Sequence, residues 1–431
     1  MDRALLAAVS GIDANQTWLD NIGNNIANVN TVGFKSDSID FVDLLAQQIA
    51  GAAAPPGVTV GAGVNPISVG SGVRVAGITP NFSEGSLQQT NVPTDVAIQG
   101  NGFLIALQGG INYYTRAGNL VLDANGDLAT PTGGLIQGWQ AVNGVINTNA
   151  PTTAVNIPTG TVIPATATTE ITMGGNLPAN PGSGGTQPQA VTTTINAYDS
   201  LGDQIPVTFT FTPGSTAGEW TIQGTVPGAS SNLWSTPPTL QFNTSTGQLE
   251  SINGTNVSTT GPTDLPVGNM PSNYTFPKGD TWNIVFPQPG TSGAITQFAG
   301  QDTAAAVSQD GNAGGTLQSF SIGADGVITG SFSNGETQSL GQIALANFAN
   351  PGGLAEQGNL LYQATPNSGT PLVGTPGTGG RGTLIGGSLE TSNVNLAKQL
   401  TDLIIAQEAY QANTKVVSTS ATTLQSLVNL P

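Results

Sequence analysis

Three stretches of this sequence have residue types and spacings with which proteins do chemistry. Asp123-Ala124-Asn125-Gly126-Asp127 sets oxygen-bearing side chains at alternate positions, as the opening of a calcium loop does. The rest of such a ligand loop does not follow and no Glu closes it, so a tight turn carrying Asn-Gly is the better reading. Asp199 and Asp203, within Tyr198-Asp199-Ser200-Leu201-Gly202-Asp203, place two carboxylates close together, and paired carboxylates can hydrolyse glycosides. Between strand-like stretches, Asp-Ser-Leu-Gly-Asp reads better as a turn. Trp139, Trp220, Trp234 and Trp282 could form a platform for sugar rings, but filling β cores is the better use for them.

Composition removes most other chemistry. Among 431 residues there is no Cys and no His, which excludes disulfides, thiol nucleophiles, Cys/His zinc sites and imidazole-based triads. No catalytic residue, cofactor or metal ligand is assigned. Charged residues are 8% of the chain, against about 25% in an ordinary globular protein. The cations are Arg3, Lys35, Arg74, Arg116, Lys278, Arg381, Lys398 and Lys415, and the net charge is −17. Phosphate and anionic lipid require clustered cations, so neither nucleic acid nor a membrane surface is an expected partner. No run of about 18 apolar residues is present to cross a bilayer, so membrane insertion is not expected. The opening Met1-Asp2-Arg3-Ala4-Leu5-Leu6-Ala7-Ala8-Val9 makes a poor signal peptide, because its apolar run is short and no cleavage pattern follows. Gly, Thr, Ser, Asn and Gln replace charge, and such a surface packs against copies of itself at little desolvation cost.

The elements that position these residues are helical at the ends and β in between. Leu5, Val9, Ile12, Leu19, Ile22, Ile26 and Val29 fall on one helical face. Leu396, Leu400, Leu403, Gln407, Tyr410, Thr414, Val417, Ala421, Leu424 and Val428 step by alternating fours and threes, a heptad seam with polar breaks at Gln407 and Thr414. Asn393 or Asn395 can cap its start. Two long amphipathic helices, one from each end, pack most naturally on each other and on neighbouring copies. Between them, Val207-Thr208-Phe209-Thr210-Phe211 alternates as a strand, and Asn125-Gly126, Asp325-Gly326 and Asn334-Gly335 mark hairpin turns. The fold expected is multidomain α+β, with a coiled-coil-like stem and two mainly-β domains. Residues 1–30 with 393–431 form the helical core, and 31–75 with 376–392 an extended connector. Residues 76–145 with 312–375 form an inner β domain, into which an outer β domain, 146–311, is inserted.

Both ends carry a specific signature. Asn21-Ile22-Gly23-Asn24-Asn25-Ile26-Ala27-Asn28-Val29-Asn30-Thr31-Val32-Gly33-Phe34-Lys35 resembles the N-terminal motif of flagellar rod and hook proteins, with Asn24, Asn25, Ala27, Asn28, Gly33, Phe34 and Lys35 as motif residues. Gly387-Ser388-Leu389-Glu390-Thr391-Ser392-Asn393-Val394-Asn395-Leu396, followed by Gln407-Glu408-Ala409-Tyr410-Gln411-Ala412-Asn413, resembles their C-terminal motif. Gln99-Gly100-Asn101-Gly102-Phe103 and Thr115-Arg116-Ala117-Gly118-Asn119-Leu120 resemble the β region shared by hook and distal rod members. The block around Asn196-Ala197-Tyr198-Asp199-Ser200-Leu201-Gly202 looks like the domain that hook members add.

The resemblance implies a structural subunit, not an enzyme, that polymerises into a curved, torque-transmitting tube enclosing an export channel. It implies an extracellular place in the flagellar hook, and export without a cleaved signal peptide. Its partners would be itself, as a helical homopolymer, the distal rod protein, the hook cap, the hook–filament junction proteins and the flagellar export apparatus. The residues expected to carry polymerisation are Leu5, Val9, Ile12, Leu19, Ile22, Ile26, Leu396, Leu400, Leu403, Tyr410, Val417, Leu424 and Val428. The alternatives are a distal rod subunit, which lacks the added block, and a secreted adhesive or carbohydrate-binding β protein, which has no need of terminal helices.

Overall fold

The computed structural model describes residues 2–52, 65–158, 160, 162–228, 231–270, 274 and 281–428. It divides into two compact units: Met1–Thr159 with Ser319–Gly330 and Thr337–Pro431, and Gly160–Gln318 with Ser331–Glu336. The second is inserted in the first. Residues 146–158 belong to the first unit, where Val155 and Ile157 are fully buried, so the insertion starts later than the Thr/Pro/Gly-rich composition suggests.

In the first unit, helix α1 (Asp2–Ala27) and helix α2 (Leu396–Val428) come from opposite ends of the chain. At the usual rise their 26 and 33 residues span about 39 and 50 Å. Asn395 is the cap of α2: its side-chain oxygen accepts the Lys398 amide at 3.1 Å. The segment after α1 is not a plain extended connector. Asp37–Asp43 pairs antiparallel with Val73–Pro80, and Gln47–Ala50 with Ile67–Val69. The Ala54-Pro55-Pro56-Gly57 stretch lies outside the described residues.

The β part of the first unit is built around Phe103–Gln108. This strand pairs antiparallel with Ile111–Thr115, Leu135–Val142 and Leu345–Asn347. Beneath it Phe103, Tyr114, Phe348 and Tyr362 form an aromatic core of edge-to-face contacts, with Tyr114 and Phe348 centroids 4.7 Å apart. Two short pairings draw the C-terminal motif into this unit: Thr383–Gly386 with Val96–Gln99, and Ser388–Glu390 with Leu87–Gln89.

The second unit is all β among the described residues, apart from a single 3-10 turn at Gly182–Gly184. An antiparallel meander runs Val191–Tyr198, Gln204–Pro213, Glu219–Thr225, Thr239–Phe242, Leu249–Ile252. A second sheet is centred on Glu170–Pro178, which pairs parallel with Asn283–Phe286 and Ile295–Phe298. Alternate residues Val207, Phe209 and Phe211 point into the core with Trp220, Phe242 and Trp282.

Candidate functional site

The two helices meet through small residues. On α1, Ala8, Gly11, Ala14, Asn21, Ile22 and Asn25 are buried. Gly11 marks a close approach: a Cβ there would lie 2.8 Å from the side-chain nitrogen of Asn413 on α2, so that side chain would have to shift. Ser10 accepts the Val73 amide at 3.2 Å, and Trp18 packs edge-on to Phe41 at 5.7 Å, so α1 is also fastened to the ribbon beside it.

The large apolar residues of both helices are only partly covered. Of those expected to carry polymerisation, Ile22 is buried, while Leu5, Ile12, Leu19, Ile26, Leu403, Tyr410, Val417 and Leu424 are half-buried. Val9, Leu396 and Leu400 are exposed, at 42%, 44% and 46%. The Val428 side chain lies outside the described residues. Leu6, Ile404, Ile405 and Val416 are exposed as well, by 43–64%. On the polar side of α2, Thr401, Thr419 and Thr423 turn their hydroxyls back to carbonyls one turn earlier.

Where the stem joins the β part, the three motif regions converge on buried charges. Lys35 Nζ lies 2.6 Å from Glu390 Oε1 and 2.8 Å from the Ser83 carbonyl. Glu390 Oε1 also accepts the Gly85 amide at 2.7 Å, and the Glu390 carbonyl accepts the Gly33 amide at 2.8 Å. Arg116 Nη1 sits 3.8 Å from Glu390 Oε2, and its guanidinium lies 5.4 Å from the centre of the Phe103 ring. Burial pulls the Lys35 ammonium below the ordinary lysine value, with Glu390 opposing, and pulls Arg116 down likewise. Such a cluster is a poor source of net stability but a demanding specifier of register, because any slip strands a charge.

Asn side chains complete the junction. Asn25 donates to the Asp37 carbonyl and accepts the Asp37 amide, both at 2.9 Å, locking the end of α1 to the first strand. Asn393 accepts the Ser36 amide at 2.8 Å and donates to the Asn81 carbonyl at 2.7 Å. Gly33 has φ of 71°, and a Cβ there would strike the Arg116–Ala117 backbone at about 2.8 Å. Phe34 is buried, Asn28 half-buried, and Asn24 and Ala27 exposed. A cavity of about 430 Å³ opens beside them, lined by Asn24, Asn28, Phe34, Asn119, Glu356 and Leu360. Burial, and then the charge of Glu356, pushes the Asp37 carboxyl up to about 6.

The three stretches with chemical potential have structural uses. Asp123 Oδ1 accepts the amides of Asn125 and Asp127, and Asp199 Oδ1 those of Leu201 and Asp203, so both first aspartates brace turns. The sugar-platform alternative fails on burial: Trp139, Trp220, Trp234 and Trp282 are all at or below 6% exposed. Among the described residues, no group of three or more His, Cys, Asp or Glu could hold a metal ion, and no helix is long and apolar enough to cross a membrane. Arg116 and Glu390 lie inside motifs whose local spacing points to no partner, and Asn393, a candidate helix cap by sequence, instead bonds Ser36 and Asn81. In so weakly charged a chain, an ion inside each motif was the available signal.

Four family models of flagellar axial proteins match the chain. They are the flagella basal body rod protein at residues 5–35, the flagellar hook protein FlgE/F/G D1 domain at 97–177, the flagellar basal body protein FlaE D2 domain at 172–312, and the flagellar basal body rod FlgEFG protein C-terminal at 385–430. The chain is 39% identical to the flagellar hook protein FlgE of Treponema pallidum (strain Nichols) over 466 aligned residues, covering 100% of both. It is 36% identical to that of Borreliella burgdorferi, again over 100% of both, and 34% identical to that of Escherichia coli (strain K12), over 99% of this chain and 100% of the other. The chain belongs to the flagellar hook protein family. Its fold is similar to the crystal structure of Helicobacter pylori flagellar hook protein FlgE2, with TM-score 0.50 and 15% identity over 70% of this chain and 100% of that one.

Proposed function

We propose that this chain polymerises head-to-tail into the flagellar hook, a flexible curved tube that passes torque from rod to filament around an export channel. Contacts between copies that do not close into a ring generate such a helical polymer. The observation that carries this reading is the apolar surface left open on the paired helices, where Leu6, Val9, Leu396, Leu400, Ile404, Ile405 and Val416 are 42–64% exposed. In the polymer these residues pack against the helices of adjacent copies, and the Thr-rich, internally bonded remainder faces the channel. The residues Leu5, Val9, Ile12, Leu19, Ile22, Ile26, Leu396, Leu400, Leu403, Tyr410, Val417, Leu424 and Val428 form this layer.

The further partners are the distal rod protein, the hook cap, the junction proteins and the export apparatus, the chain leaving the cell without a cleaved signal peptide. Its role is mechanical and not catalytic. Full-length identity to hook proteins, and a second unit matched by the D2 model, favour this reading over a rod subunit. The test is Leu400→Glu with Ile404→Glu. The two sites are 46% and 60% exposed in the lone subunit, so the double change costs it about 1 kcal/mol. Electron microscopy shows no tubes from the variant where the parent forms them. Normal tubes from the variant overturn the reading.

A further inference from the structure

The chain holds five Asn-Gly pairs, beginning at Asn101, Asn125, Asn143, Asn253 and Asn334. Asn-Gly suits tight turns, and it is also the dipeptide in which the following nitrogen most easily reaches the Asn side chain, because glycine has no Cβ to obstruct it. The fold restrains four of the five. Asn125 donates to Asp123, and the Gly126 amide is held by the Asp123 carbonyl at 3.1 Å. Asn253 accepts the Thr239 amide through its side chain at 2.9 Å. Asn334 donates to the Ala313 carbonyl at 2.7 Å and accepts the Glu336 amide at 3.1 Å, and the Gly335 amide is bonded to Phe332. At Asn101 the backbone carbonyl accepts the Gly382 amide at 2.6 Å, and Gly102 is buried.

Asn143 lacks these restraints, and it differs from Asn253, an exposed turn tip of the same kind with φ of 50°, in having no side-chain hydrogen bond among the described residues. It sits at the tip of the hairpin in which Val142 pairs with Val145, with φ of 51° followed by 77° at Gly144. It is exposed, and neither its side chain nor the Gly144 amide makes a hydrogen bond among the described residues. Its neighbours Val142 and Val145 are 71% and 72% exposed.

We propose that Asn143 is the dominant site of spontaneous deamidation and isoaspartate formation in the folded protein, an inference independent of the hook reading. The Gly144 nitrogen attacks Asn143 Cγ. The N–Cγ bond forms, the Cγ–Nδ2 bond breaks, and the amide leaves as ammonia carrying the proton displaced from Gly144. Water opens the cyclic imide at either carbonyl, giving aspartate or isoaspartate, with no oxidant or reductant consumed. Each conversion places a carboxylate between two exposed valines. The isoaspartate product also adds a methylene to the backbone of a turn that has room for two residues, which loosens the Val142–Val145 pairing.

The experiment is incubation of the full-length protein in mildly alkaline ¹⁸O water, followed by peptide mass spectrometry that separates aspartate from isoaspartate. In the folded protein Asn143 converts at least about tenfold faster than any other Asn-Gly pair, equivalent to about 1.4 kcal/mol of barrier. In urea the five rates draw together. Asp123→Ala, which removes the side-chain bonds to Asn125 while the Asp123 carbonyl still holds the Gly126 amide, raises conversion there and leaves Asn143 unchanged. If any of the four restrained pairs matches Asn143 in the folded protein, or if the ranking is the same in urea, the inference is overturned.

Discussion

Lys35 Nζ and Glu390 Oε1 are 2.6 Å apart, both side chains fully buried, although the two residues lie 355 positions apart along the chain. That contact fixes where the last motif lies against the first, and Arg116 brings the β part to the same point. The stem is therefore keyed to its β unit by charge as well as by packing.

Removing the shared anion leaves two buried cations unpaired. Glu390→Ala is expected to destabilise the first unit by about 3–5 kcal/mol. Lys35→Met is expected to cost less, because Arg116 still faces the carboxylate. Urea unfolding followed by hydrogen exchange at Val96–Gln99 separates the two variants, and equal effects would contradict the shared-anion account.

Gly118 has no room for a side chain: an added Cβ would overlap the Val96 carbonyl oxygen. Gly118→Ala should destabilise by at least the about 1–3 kcal/mol typical of overpacking, since backbone and not a flexible side chain must move. Thermal unfolding checks this. Gly23→Ala, where nothing lies within 4 Å of the added atom, is the control and should be neutral or stabilising.

Asp37 sets a pH dependence. Its unfolded value is near 3.8 and its folded value about 6, so the folded state holds the proton more tightly. The contribution is fully present below 3.8 and is lost as pH rises through about 6. Asp37→Asn should raise the melting temperature above that window, leave it unchanged below it, and flatten the slope between. A parallel shift at every pH would show that Asp37 is not the titrating group.

Replacing Gly160–Gln318 with a short Gly/Ser linker should spare polymerisation, because the helices and the junction all belong to the first unit. The tubes should differ in curvature or supercoil. Loss of tubes from a soluble, folded variant would show that the second unit makes an essential contact.

The terminal helices and the β middle were legible because their periodicities are local: threes and fours in Leu396–Val428, twos in Val207–Phe211. The face on which the helices meet was less so. Large apolar residues drew attention to Leu5 and Val9, whereas the buried face is Ala8, Gly11 and Ala14, where small size permits close approach. The Lys35–Glu390–Arg116 cluster was invisible to any window of sequence, since nothing in local spacing reports pairing across the whole chain. Asn393 and Asn395 were interchangeable as caps on sequence alone. The fold separates them by using Asn393 to hold Asn81 and Ser36 instead.

The distance along the chain between Lys35 and Glu390 has a consequence for timing. A polypeptide that emerges one end first, from a ribosome or any narrow conduit, cannot close this latch until almost its full length has arrived. Whichever end leads, its motif waits with an unmatched ion that disfavours early burial. Premature maturation of the stem is thus held back by a late-arriving counterion, and the last step of folding coincides with delivery of the whole molecule.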